Sequence, residues 1–203
     1  MERIGIIGGT FDPLHNGHLY IGSEAKEILH LDKIIYMVAG NPPHKSEKHI
    51  TDASIRFKMV EETIKNKEGF CASHYEIDKK GFSYTYETLE HFFNEKRQLY
   101  FITGADCLIN IESWKEIERI FKSCIFVVFP RPGYSKEELL SQKEYIEKKY
   151  NTCIKFLDIP EIDESSTRIR ELIKNGNYED VNNLVPDKVL EIIKKQNLYR
   201  SEF

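Results

Sequence analysis

No run of lysine and arginine marks this 203-residue chain, and its formal charge of −4 offers no basic surface to a nucleic acid. An anionic ligand would have to be held by a few placed basic side chains. Cysteine is sparse. Cys71, Cys107, Cys124 and Cys153 stand far apart with no C-x-x-C pair, so their spacing points to neither a zinc site nor a disulfide framework. Reduced thiols of a cytoplasmic protein are the expectation. The apolar run near the N-terminus is too short and too glycine-rich for a signal peptide, and no segment is long and apolar enough to span a bilayer. Internal repeats, low-complexity tracts and Gly/Ser-rich linkers are missing as well. So are two common phosphate cradles: there is no G-x-x-x-x-G-K-[ST], and Gly8-Gly9-Thr10 is not a G-x-G-x-x-G.

What is present suffices for a packed core, with 40% apolar and 12% aromatic residues. Short β-branched or aromatic runs at Arg3–Gly8, Lys33–Ala39, Phe70–His74, Leu99–Gly104, Ser123–Phe129 and Cys153–Asp158 read as strands. Helical patterns lie between them at Gly17–Leu29, Ala53–Lys65, Thr85–Glu95, Trp114–Phe121 and Lys136–Tyr150. Such alternation calls for a parallel sheet with right-handed crossovers. The fold class expected is therefore α/β, a Rossmann-like, doubly wound parallel sheet. After residue 164 the pattern changes. Ser165–Asn175 and Asp187–Lys195 are helical with no strand between them. Residues 1–164 then form the core, and residues 165–203 a small helical C-terminal lobe of the same domain. Asn175-Gly176 supplies a stop for the first of these helices, and Pro186 opens the second.

The densest chemical signal is Gly8-Gly9-Thr10-Phe11-Asp12-Pro13-Leu14-His15-Asn16-Gly17-His18. It follows the strand carrying Ile4, Ile6 and Ile7 and opens a helix, so backbone N–H groups and the positive end of a helix dipole meet at one point, which suits a phosphate. On that helix His18, Gly22, Ala25 and Leu29 share one stripe, and the stripe must face the sheet. His18 is thereby aimed at the strand ends, where ligands of such sheets bind. No third ligand at metal-site spacing accompanies His15 and His18, so no protein-held metal is expected.

This stretch resembles the signature of the nucleotidyltransferase superfamily with the H-x-G-H motif. Further segments narrow the resemblance to the bacterial nicotinate-nucleotide adenylyltransferase family. They are Asn41-Pro42-Pro43-His44-Lys45, Ser83-Tyr84-Thr85-Tyr86-Glu87-Thr88-Leu89, Gly104-Ala105-Asp106 followed by Trp114, Arg131-Pro132-Gly133-Tyr134, and Ser165-Ser166-Thr167-Arg168-Ile169-Arg170. They stand in that family's order and spacing over nearly the whole chain, with Glu164 where the last motif usually begins with an aliphatic residue.

The resemblance implies transfer of the adenylyl group of ATP to nicotinate mononucleotide, giving nicotinate adenine dinucleotide and pyrophosphate, a step of NAD biosynthesis. The nucleophile is then a phosphate that is already ionised, so no general base is required and positioning with charge neutralisation carries the rate. His15, His18 and Arg170 are the candidate catalytic residues, with His18 at the α-phosphate. Gly8, Gly9, Thr10, Phe11, Gly104, Asp106, Ser165, Ser166 and Thr167 join them around ATP, whose phosphates carry magnesium as the only metal. In the last motif Ile169, Leu172 and Ile173 form the apolar face, which leaves Thr167 and Arg170 on one flank and Arg168 facing solvent. Ser165 and Ser166 can cap that helix. For the second substrate the family resemblance makes Trp114 the surface that stacks on the pyridine ring. Backbone groups at Thr85 approach the ring carboxylate, Asp106 approaches ribose hydroxyls, and His44, Lys45 and Arg131 are candidates for the mononucleotide phosphate. No side chain settles nicotinate against nicotinamide, and a homodimer is left open. Two rivals remain: a phosphopantetheine adenylyltransferase, and a nucleotide-binding regulator that keeps the cradle without turnover. A fragment of an aminoacyl-tRNA synthetase is disfavoured, since no K-M-S-K-S-type loop is present.

Overall fold

The computed structural model describes residues 1–41, 50–79 and 81–200. Within them β1 (Glu2–Gly9), β2 (Lys33–Val38), β3 (Phe70–Ser73), β4 (Arg97–Gly104), β5 (Ile125–Phe129) and β6 (Ile154–Phe156) pair in parallel, in the order β3-β2-β1-β4-β5-β6. The helices are α1 (Asn16–Ile28), α2 (Ala53–Ile64), α3 (Tyr75–Asp78), α4 (Thr85–Phe92), α5 (Ala105–Ile109), α6 (Ile117–Ser123), α7 (Lys136–Tyr150), α8 (Ser166–Lys174), α9 (Tyr178–Asn182) and α10 (Asp187–Lys195). This is the doubly wound α/β arrangement expected from the alternation, with its switch point between β1 and β4.

The strands are buried on both faces, and their side chains divide with period two. Ile4 and Ile6, Ile35 and Met37, Leu99 and Phe101, and Phe126 and Val128 face the side covered by α4 to α7. Their neighbours Ile7, Ile34, Tyr36, Val38, Tyr100, Ile102 and Val127 face α1, α2 and the C-terminal helices. Ile169, Ile173, Val181, Val185, Val189 and Ile193 are buried in that second cluster, so α8, α9 and α10 share the core of the sheet.

The N-termini of three helices follow local sequence rules. Asp52 caps α2 by accepting from Ser54 N–H, Ser135 caps α7 through Glu138 N–H, and Ser165 caps α8 through Arg168 N–H. Gly176, at φ +78°, ends α8, where Asn177 N–H donates back to Leu172 O. Two helix boundaries differ by three residues from the sequence expectation. α4 stops at Phe92, three residues short of Glu95, because Phe93 turns extended and leaves the core half-exposed. The helix expected to start at Trp114 begins at Ile117 instead. A single 3-10 turn at Ile111–Ser113 comes first, and Glu116 adopts a left-handed conformation that re-aims the chain, so Trp114 stands on the connection. α3, α5 and α9 are too short to show a helical period, and the sequence pattern misses them.

Gly40, just beyond β2, packs directly on backbone. A Cβ there would lie 2.2 Å from the carbonyl oxygen of Glu76, which has no rotamer with which to yield. Gly40→Ala should therefore cost about 1–3 kcal/mol of stability, in the range of other overpacked sites. Urea denaturation checks this: a lower midpoint with an unchanged slope is expected.

Candidate active site

The loop that leaves β1 is built around a buried aromatic ring. Phe11 is 2% exposed, adopts φ +49° and lies against Gly9, whose missing Cβ would come within 2.8 Å of the ring. That left-handed conformation, costly for a large side chain, turns the chain toward α1. Phe11 meets the His18 ring edge-on at 5.0 Å between centroids. The rings of His15 and His18 lie 3.6 Å apart. His15 N–H donates to His18 Nδ1 at 3.3 Å, which puts the proton of a neutral His18 ring on Nε2. Tyr36, wholly buried, donates to His18 O at 3.1 Å and anchors the start of α1 to the sheet.

A cavity of about 350 Å³ opens above this loop, lined by His15, His18, Arg131, Ser165, Thr167 and Arg170 among others. The N-termini of α1 and α8 both line it, so the positive ends of two helix dipoles converge there. Arg170 is oriented from both sides, donating through Nη1 to Asp12 O at 2.7 Å and through Nη2 to Thr167 Oγ1 at 3.2 Å. The flank arrangement of α8 is as the sequence implied: Arg168 points outward, 57% exposed, near Asp163 at 3.6 Å. Only Ser165 acts as the cap. Ser166 instead donates to Pro13 O at 2.9 Å and ties α8 to the loop after β1.

A second cavity of about 440 Å³ adjoins the first, and the two share Gly8, Gly9, Thr10, Thr103, Asp106 and Cys107 as a common wall. Its lining includes Trp114, Thr85, Tyr84, Ser83 and Lys115. Trp114 packs edge-on against Phe101 and Phe126, which fix the indole while part of it lines the cavity. Thr85 is the first residue of α4, as expected. Burial pushes the Cys107 thiol in the shared wall up to about 11, with the Asp106 carboxylate adding to the effect, so it is no nucleophile at neutral pH. Arg131 lines the histidine cavity and not the Trp114 cavity. His44 and Lys45 lie outside the described residues. Arg131 Nε is 3.5 Å from Asp106 Oδ1, an ion pair without hydrogen-bond geometry, and among the described residues that buried oxygen has no donor. Gly104 makes the approach possible, since a Cβ there would lie 2.5 Å from Asp106 Oδ1 and 2.6 Å from Arg131 Nε.

With this geometry in view, relatives can be compared. The model of the cytidylyltransferase-like family matches residues 6–172. A Clostridium botulinum (strain Alaska E43 / Type E3) protein named "Probable nicotinate-nucleotide adenylyltransferase" is 56% identical over 202 residues, covering 100% of both chains. A protein of the same name from Clostridium novyi (strain NT) is 55% identical, covering 98% of this chain and 100% of its own length. The chain belongs to the nicotinate-nucleotide adenylyltransferase family. Among solved structures, Plasmodium falciparum nicotinic acid mononucleotide adenylyltransferase complexed with NaAD shares the fold, with a TM-score of 0.78 and 20% identity over 98% of each chain.

Several residues that shape this family member's site carried no sequence signal of their own. Arg56 is 1% exposed and donates to Thr10 O at 2.7 Å, Thr51 O at 2.8 Å and Gly40 O at 3.4 Å, joining the loops after β1 and β2. Glu76 accepts from Thr88 Oγ1 at 2.6 Å at the edge of the Trp114 cavity, and burial raises its carboxyl above the usual range. Lys115 lies with its ammonium 4.4 Å from the centre of the Tyr84 ring at the same cavity. Its place directly after Trp114 was the one available hint.

His15 gives the site a pH signature. Burial, with Arg131 adding to it, pushes its imidazole down to about 4. The folded protein therefore keeps His15 neutral while the unfolded chain binds a proton near the ordinary pKa of about 6.5. Between those values the unfolded state holds more protons, so stability rises with pH and falls on acidification. The loss should approach about 3 kcal/mol by pH 4. Denaturant titrations of wild type and His15→Asn from pH 7 to 4 should converge as the pH drops; parallel curves would count against a neutral buried imidazole.

Proposed function

We propose that this protein transfers the adenylyl group of ATP to nicotinate mononucleotide and releases pyrophosphate. The observation that carries the reading is the pair of adjoining cavities over β1 and β4. One holds two histidines, two helix N-termini and Arg170; the other holds Trp114 and the start of α4; and Gly8, Gly9 and Thr10 lie between them. A product with two nucleotide halves joined by a pyrophosphate bridge fits such a double site, with the bridge over the shared glycines.

A mononucleotide phosphate oxygen attacks the α-phosphorus of ATP. The new P–O bond forms as the bond from the α-phosphorus to the bridging oxygen breaks, and pyrophosphate leaves with that electron pair. No side chain must accept a proton from the attacking oxygen. Catalysis then rests on holding donors where charge develops. His18 Nε2–H and the N–H groups at the start of α1 serve the α-phosphate, while Arg170 and the start of α8 serve the leaving phosphates. Magnesium enters with the triphosphate as part of the substrate. Neutral His15 adds no charge, so the fixed positive charge of this cavity comes from Arg131 and Arg170. Across the wall, Trp114 offers its face to the pyridine ring, and Lys115 adds a cation beside a ligand that carries a ring carboxylate as well as a phosphate.

Pyrophosphate release from magnesium-ATP, tested with nicotinate mononucleotide, nicotinamide mononucleotide and phosphopantetheine in parallel, is the direct test. Fast release with the first alone is expected. Release with phosphopantetheine alone would overturn the reading of the Trp114 cavity. ATP binding with no release in any arm would indicate a regulator. His18→Ala should lower kcat roughly 10²–10³-fold with the fold intact, the usual loss for one donor to a developing oxyanion. Trp114→Ala should raise KM for the pyridine mononucleotide about tenfold, as the loss of one stacked ring does, and leave KM for ATP near wild type.

A further inference from the structure

The carboxylate of Asp12 sits inside the loop that carries the histidines, yet the mechanism gives it no task. It is 5% exposed. Its Oδ1 accepts from Tyr199 Oη at 2.6 Å, across 187 residues of sequence, and its Oδ2 accepts from Thr51 N–H at 3.3 Å. Its backbone carbonyl is the acceptor that orients Arg170, at 2.7 Å. One residue thus receives the Arg170 guanidinium, a phenol from beyond α10, and the segment that leads into α2.

The route by which Tyr199 arrives is informative. After α10 the chain reverses through Asn197 at φ +51° and Tyr199 at φ +62°, both left-handed conformations of residues with a Cβ. Leu198 N–H is satisfied by Ile193 O, so the reversal is held by backbone bonds. Strained conformations of this kind persist where surrounding structure enforces them, and they cluster at sites where geometry matters. Here the result is a phenol hydroxyl directed at a carboxylate in the phosphate loop. Burial and that carboxylate both raise the Tyr199 pKa, so the hydroxyl stays a donor at any working pH.

We propose that Tyr199 is a positioning residue for adenylyl transfer, holding Asp12 so that its carbonyl keeps Arg170 aimed into the histidine cavity. Without the hydroxyl, the buried Oδ1 would lose the donor that the described residues give it, and the turn would shift to reach water. The Asp12 carbonyl would shift with it, and Arg170 would lose one of the two contacts that orient it. Tyr199 touches neither substrate in this scheme. Its influence passes through Asp12 to Arg170, on the ATP side of the site.

The proposal rests on the adenylyl-transfer reading, and its test separates the two. Tyr199→Phe keeps the ring and removes only the hydroxyl. Magnesium-ATP affinity, measured by calorimetry without the second substrate, should weaken about tenfold, the scale of one lost hydrogen bond to a charged group. KM for ATP should rise in step, with KM for the mononucleotide within about twofold of wild type and a small change in melting temperature. In an Arg170→Lys background the same change should add little, because both lesions act on one contact chain. Asp12→Asn, which weakens the same link from the other side, should shift ATP affinity in the same direction, and it carries the test if Tyr199→Phe folds poorly. Unchanged ATP affinity in folded Tyr199→Phe, equal loss for both substrates, or full additivity with Arg170→Lys would overturn the proposal. A wild-type protein that binds ATP but never releases pyrophosphate would instead sink the adenylyl-transfer reading, and the calorimetric comparison would still decide the role of Tyr199.

Discussion

Above the carboxyl ends of β1 and β4 the chain parts in two directions. From β1 it passes to α1 on one face of the sheet, and from β4 it passes through α5 to the opposite face. Neighbouring parallel strands whose crossovers diverge leave a crevice that no connection fills. Every functional feature of this protein hangs on that gap. Gly8 and Gly9 floor it, Thr103 and Gly104 lie beside them, and the helix that starts after β1 turns the positive end of its dipole toward it. The C-terminal helices then close one side. α8 brings a second N-terminus, and it is fastened by Ser166 to Pro13 O and by Arg170 to Asp12 O.

The electrostatics of the crevice follow from burial. A histidine that is 4% exposed stays neutral, and a glutamate that is 9% exposed is pushed toward its protonated form. Charge is thus kept to groups that remain partly hydrated or paired, such as Arg131 beside Asp106, each nearly half-exposed at its side chain. For a reaction between two phosphates this is a sensible division. Fixed dipoles of loop and helix ends need no reorganisation when charge moves from one phosphate to another, and a small number of cations can follow the leaving group. Arg56 illustrates the structural counterpart. It is fully buried, and its donors reach three backbone carbonyls in the loops after β1 and β2, so it acts as a clamp for the wall of the site.

Much of the site was legible before the fold was known. The six strand segments, the start of α1 after Gly8–Leu14, the full extents of α7 and α10, the cap at Ser165 and the outward direction of Arg168 all follow from patterns within a few residues of each other. The grouping of His15, His18 and Arg170 around one cavity, with Trp114 and Thr85 in the next, also agrees with the reading of the motifs. What the motifs did not show is the neighbour of Arg131: β5 lies next to β4, and that adjacency delivers it to Asp106. Glu76, Arg56 and Tyr199 gave no signal, because their partners are distant in sequence and their residue types are ordinary.

By itself, then, the sequence determined what has a local cause: strands from two-fold alternation of apolar side chains, helix ends from caps and glycine, and a phosphate loop from glycines followed by a capped helix start. Only the tertiary structure decided which loops share a wall, why Gly40 must lack a Cβ, and that a phenol from residue 199 should meet a carboxylate at residue 12. The physical reason is range. Caps and periodicity act over one or two turns of chain, whereas a buried polar group must find its partner wherever the winding of the sheet happens to bring one.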